Sequence, residues 1–146
     1  MPLRARILAL TTLLSATAAI AQEGNADFGA LLFSRQCVSC HVVADADGML
    51  LAGRYARTGP NLYGITTRGI AQAPDYRYGD ALAAVGATGA DWTQDAFVAY
   101  VMDPTDWLRD RLDDRRARSK MAYKVRSQDD ALDMFAYLDS LAQPAE

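Results

Sequence analysis

A chain of 146 residues is long enough for one domain and too short for two. Hydrophobic residues make up 51% of it, enough for a modest core, and 15 basic against 18 acidic residues leave a formal charge of −3. That balance excludes the broad basic surface a nucleic-acid partner requires.

Arg4 and Arg6 precede an apolar run from Ile7 to Ile20, and Ala19-Ile20-Ala21 has the A-x-A form of a cleavage site. Residues 1–21 therefore read as a secretory signal peptide, with Gln22 as the mature N-terminus and 22–146 as the functional domain. The competing reading is an uncleaved anchor. A bilayer span asks for about 20 apolar residues, and this run is shorter. No later segment could span a bilayer. Cleavage removes two arginines and no acid, so the formal charge moves from −3 to −5.

Asn25 is placed to cap a helix over Ala26–Gln36, with Phe28, Leu31, Leu32 and Phe33 on its apolar side. Gly29 inside it costs about 1 kcal/mol against alanine, which a close backbone contact with another helix would explain. Cys37-Val38-Ser39-Cys40-His41 follows, holding both cysteines and the one histidine of the chain. A C-x-x-C-H run places two thiols on one turn, able to bond the two vinyl groups of a haem. The next imidazole then lies under the iron. Two other chemistries compete. A thiol–disulfide site is expected in a βαβ setting, and strand patterns are nearly absent here. A zinc site needs further cysteines or histidines, which the chain lacks. Attachment of haem c at this motif occurs outside the bacterial cytoplasm, which agrees with an exported, periplasmic protein.

The stretch from Val42 to Thr58 is loop-like or a short hairpin, and Asp45-Ala46-Asp47-Gly48 reads as a solvated acidic turn. Gly59-Pro60-Asn61-Leu62 is rigid, and a carbonyl near Pro60 is a candidate acceptor for the second ring nitrogen of His41. A polar loop spans Thr66 to Tyr78. Short helices are expected from Gly79 to Val85, from Thr93 as cap to Met102, and from Thr105 as cap to Leu112. Asp113 to Lys120 is hydrophilic. Ser127 and Asp130 resemble a capping box opening a last helix, with Leu132, Phe135, Leu138 and Leu141 as its core stripe.

With His41 on one face of a haem, the other axial position falls to methionine, lysine, tyrosine, an amine, water or nothing. Met102 and Met134 sit in apolar helical patterns and read as core. Met49 follows His41 too closely to reach the opposite face. Met121 lies in a downstream loop that can wrap that face, and it is the favoured ligand. A thioether there would stabilise ferrous iron.

Taken in order, Gly29-x-x-x-Phe33, Cys37-x-x-Cys40-His41, Gly59-Pro60-Asn61-Leu62, Tyr78, Trp92, Lys120-Met121-x-Tyr123 and Tyr137-Leu138 resemble the class I cytochromes c. The segment around Met121 resembles the soluble bacterial cytochrome c2 group in particular. The resemblance covers the whole mature chain. It implies an all-α, single-domain fold wrapped around one covalent haem c. His41 and Met121 would be axial ligands, Cys37 and Cys40 the thioether links, and the Pro60 carbonyl the acceptor of the His41 ring proton. Tyr78 and Trp92 would bond a haem propionate, and Tyr123 would cover the haem edge. Gly29 and Phe33 would pack on Tyr137 and Leu138.

The implied function is single-electron carriage, not enzymology. The carrier would be a monomer docking transiently with membrane redox complexes: a quinol–cytochrome c oxidoreductase as donor, and an oxidase or photosynthetic reaction centre as acceptor. A dedicated acceptor for a periplasmic dehydrogenase is a near alternative. An open-site haem sensor or enzyme and a haem-free thiol oxidoreductase are further ones. Where relatives carry a lysine ring, this chain has only Lys120 and Lys124, and Gln36 stands where a lysine is common. Arg54, Arg57, Arg68, Arg115, Arg116, Arg118 and Arg126 are the candidates to replace that ring. Arg57, Arg115, Arg116, Arg118, Lys120 and Lys124 form the expected docking set.

Overall fold

The computed structural model describes residues 23–142; the expected leader, its expected cleavage site and Gln22 lie outside the described residues. Among the described residues there are five helices: α1 (Ala26–Gln36), α2 (Asp80–Ala87), α3 (Gln94–Met102), α4 (Pro104–Leu112) and α5 (Gln128–Ala142). Between α1 and α2 lies a small antiparallel hairpin, β1 (Val42–Ala44) and β2 (Leu50–Gly53). Its turn is organised by Asp45, whose carboxylate accepts from the Asp47 and Met49 amides. That is the Asx-turn role of a short acidic side chain.

The N- and C-terminal helices cross and set the frame. Asn25 caps α1 by accepting from the amides of Asp27 and Phe28, and its own amide donates to Asp133 Oδ1 at 2.6 Å. At the crossing, a Cβ on Gly29 would overlap the Asp133 carbonyl and the Tyr137 Cβ. The close helix–helix contact expected at Gly29 is therefore present. Phe33 is buried, and its ring lies 5.7 Å from that of Tyr137. The expected apolar stripe of α1 is corrected here. The approach at Gly29 turns Gly29 and Phe33 inward, which rotates Phe28 (60% exposed) and Leu31 (51%) into solvent. On α5, Ala131 and Met134 join Leu132 and Leu138 as buried residues, while Phe135 and Leu141 are half-buried.

The α3–α4 corner differs from the expected Thr105 cap. Asp103 closes α3 and caps α4, accepting from the Asp106 amide at 3.2 Å. Pro104 occupies the first turn, where a missing N–H costs nothing. Thr93 caps α3 through the Ala96 amide, and Ser127 Oγ caps the start of α5 through the Asp130 amide. The aromatic side of the core is a cluster in which Trp92 lies 5.8 Å from Trp107 and 5.1 Å from Tyr100. It joins α3 and α4 to the loop ahead of them.

Candidate haem site

α1 does not stop at Gln36 so much as tighten. Cys37 donates its amide to the Phe33 carbonyl, and the amides of Cys40 and His41 both turn back on the Cys37 carbonyl. This compact turn fixes the two thiols and the imidazole on one short piece of backbone. Burial pushes the Cys37 thiol up to about 12, with the nearby Cys40 adding to the effect. Cys37 is thus a protonated thiol at neutral pH, not a ready nucleophile.

The imidazole is seated by the loop after the hairpin. His41 Nδ1 donates to the Pro60 carbonyl at 3.0 Å, since a carbonyl can only accept. This leaves Nε2 with a free lone pair. Burial pushes the ring below its ordinary pKa, outweighing the upward pull of the Pro60 bond, so it is neutral at pH 7. The Gly59 amide donates to the Cys40 carbonyl at 2.7 Å, and any Cβ on Gly59 would run into the His41 ring. Asn61 ties this loop to β1: its Oδ1 accepts from the amides of Ala44 and Tyr63, and its Nδ2 donates to the Ala44 carbonyl. Arg68 is turned inward onto the carbonyls of Tyr63 (2.6 Å) and Asn61 (2.7 Å). It braces the Pro60 loop, so the expectation that it belongs to a surface charge ring is corrected.

Met121 is carried by a strap, residues 119–125, between α4 and α5. Its amide donates to Ser119 Oγ at 3.0 Å, and Ser119 Oγ lies 3.0 Å from Tyr100 Oη. Lys120 Nζ donates to the Arg77 carbonyl, and the Val125 amide donates to the Val101 carbonyl. Lys124 pairs with Asp103 at 2.5 Å, which lowers the Asp103 carboxyl, chiefly through that hydrogen bond.

These pieces enclose one cavity of about 340 Å³. Cys37, Cys40, His41, Pro60, Tyr78, Trp92, Met121 and Tyr123 all line it, with Phe33, Leu62, Ile65, Phe97, Val101 and Leu138 supplying apolar wall. Two thiols, one imidazole with a free nitrogen and one thioether around an apolar slot suit a covalently held haem. Tyr78 Oη accepts from the Ala73 amide at 3.1 Å and keeps its own proton to donate. Trp92 is buried, and Tyr123 is exposed with its hydroxyl on Gln36.

Of the expected docking residues, all six are exposed. Lys120 lies at the cavity, and Arg57 precedes Thr58, which lines it. Arg115 instead borders a depression formed with Arg109 and four aspartates, Asp106, Asp110, Asp113 and Asp114, of which Asp106 pairs with Arg109. Gly59, Asn61, Arg68 and Gln36 are contributions to the site that sequence reading did not assign. A glycine directly before the proline already flagged for His41 was the available signal for Gly59. Asn61 and Gln36 show through partners 17 and 87 positions away, and Arg68 through carbonyls five and seven positions back.

No protein-family model matches the chain. The chain is similar to a cytochrome c2 of Rhodovulum adriaticum, with 48% identity over 119 residues, 82% of this chain and 94% of that one. It is 40% identical over 143 residues to a cytochrome c2 of Cereibacter sphaeroides, covering 97% of this chain and 98% of the relative. Its fold matches the X-ray structure of cytochrome c2 from Rhodobacter sphaeroides with a TM-score of 0.80 at 41% identity, over 84% of this chain and all of that one.

Proposed function

Since this chain belongs to the cytochrome c2 family of class I c-type cytochromes, carrying one covalent haem c and moving single electrons, we propose how its residues do so. Cys37 and Cys40 would tether the haem, and His41 and Met121 would ligate its iron. The observation that carries this reading is that both cysteines, the Pro60-held imidazole and the Met121 thioether line the same apolar cavity. When bound, haem supplies a one-electron iron couple whose potential a thioether ligand raises. The protein's own part is to hold and to exclude. Pro60 fixes the His41 tautomer and ring plane, which strengthens the imidazole as a donor. The apolar wall keeps water away, and Tyr78 and Trp92 offer donors to propionate groups.

With His41 and Met121 both ligating the iron, no position would be left for a substrate, which favours carriage over catalysis. Residues 1–21 direct export and are removed, placing the mature protein in the periplasm. No helix among the described residues is long and apolar enough to cross a membrane. The carrier works as a monomer between a membrane quinol–cytochrome c oxidoreductase and an oxidase or reaction centre. Contacts with each are small and transient.

The test is an absorption spectrum of the purified periplasmic protein, oxidised and reduced, with and without carbon monoxide. A low-spin reduced spectrum indifferent to carbon monoxide, with a far-red sulfur-to-iron band when oxidised, is expected. In Met121→Ala that band is lost and carbon monoxide binds. A Met121→Ala protein with unchanged spectrum and potential overturns the assignment of the sixth ligand.

A further inference from the structure

Gln36 and Tyr123 lie 87 positions apart in the chain and meet at the rim of the cavity. Tyr123 Oη donates to Gln36 Oε1 at 2.7 Å. Gln36 is the last residue of α1, directly ahead of Cys37, and Tyr123 follows Met121 by two residues. The bond therefore joins the element that carries both cysteines to the strap that carries Met121. The strap's other bonds run from Ser119 to Tyr100 and Thr105, Lys120 to Arg77, Lys124 to Asp103 and Val125 to Val101. They reach α3, α4, the α3–α4 corner and the loop ahead of α2. Of these six ties, that of Tyr123 alone reaches α1.

We propose that Gln36 is a positioning residue for axial ligation: its side-chain carbonyl latches the Met121 strap across the cavity mouth. In this way it sets how often Met121 leaves the iron and how readily an outside ligand enters. The inference rests on Met121 being the ligand. The chemistry asks for an acceptor at position 36. A glutamine carbonyl or a carboxylate can receive the phenol proton, whereas an ammonium or a thioether of similar length offers no comparable lone pair. Both residues are in reach of water, so the bond is a modest one, and its loss should speed opening by about two- to tenfold.

The experiment uses the ferric holoprotein and imidazole as probe, following loss of the sulfur-to-iron band. Where Met121 must first leave, the rate of imidazole capture levels off at high imidazole, at the rate of strap opening. Gln36→Met and Tyr123→Phe are each expected to raise that plateau about two- to tenfold. The double variant should be no faster than the singles, since both remove one interaction. Gln36→Glu keeps the acceptor and should keep the slow plateau. A plateau unmoved by Gln36→Met, or effects that add in the double variant, overturns the latch alone. If the wild-type protein shows no plateau and matches Met121→Ala, the ligand assignment falls and the latch falls with it.

Discussion

At Gly59 one hydrogen atom decides whether His41 has its place. A methyl group there would meet all three of the ring's nearest atoms. Gly59→Ala should displace the ring from the Pro60 carbonyl and destabilise the protein by about 1–3 kcal/mol, as overpacking does. A lowered urea midpoint with an unchanged m-value would check this. Gly29 poses the same question with a competing term. Alanine gains about 1 kcal/mol of helix propensity there, yet its methyl would strike the Asp133 carbonyl and the Tyr137 Cβ. Backbone cannot yield as a flexible side chain can, so the clash wins and Gly29→Ala is expected to lower the midpoint. Residues whose chemistry is local were legible in the sequence. The thiols and imidazole announce themselves by spacing, and Gly29 by its cost. Arg68 was not legible, because a guanidinium that caps two carbonyls has the same sequence as one in solvent.

Elements are held here by side chains that serve two of them at once. Asp103 caps α4 and also pairs with Lys124 on the Met121 strap. Its carboxyl is held below the usual range when folded, so it stabilises the folded state above the unfolded carboxylate pKa of about 3.9. That contribution is lost as pH falls below 3.9 through the folded value. Wild type should therefore exceed Asp103→Asn in denaturant midpoint at pH 7. The gap should close below about pH 4, and shrink at high salt because the pair is exposed. The capping signals on α1, α3 and α5 could be read from sequence because a cap and its amide lie within three residues. At α4 two acceptable caps stood side by side, Asp103 and Thr105. The proline between them decides in favour of Asp103. The rotation of α1 was not readable, since Phe28 and Leu31 are as apolar as Phe33. Only the approach of α5 selects which face turns inward.

For the whole molecule, charge is distributed unevenly. The chain is acidic overall, while Lys120 and Arg57 stand at or next to the cavity. Complementary charge mainly raises encounter rates and orients partners. Reversing Arg57 and Lys120 should slow electron transfer to membranes severalfold at low ionic strength, and the difference should fade as salt is added. Reversing Arg115 alone should do less, since the depression it borders already carries more aspartates than arginines. Stopped-flow oxidation of the reduced protein by membrane fragments, measured across a salt series, separates these outcomes.

The crossing of α1 and α5 also bears on the order of events as the chain folds. Asn25 is bonded to Asp133 across 108 positions, so the two helices cannot meet until nearly the whole chain has emerged. A contact so distant in sequence requires that the entropy of closing the intervening loop be met. Until then α1 has no partner for its Gly29 face, and the Cys37–His41 turn hangs at the end of an unpacked segment. The thiols, half-buried in the finished molecule, are thus more open for as long as the last helix is missing. The position of α5 at the far end of the chain keeps that interval open.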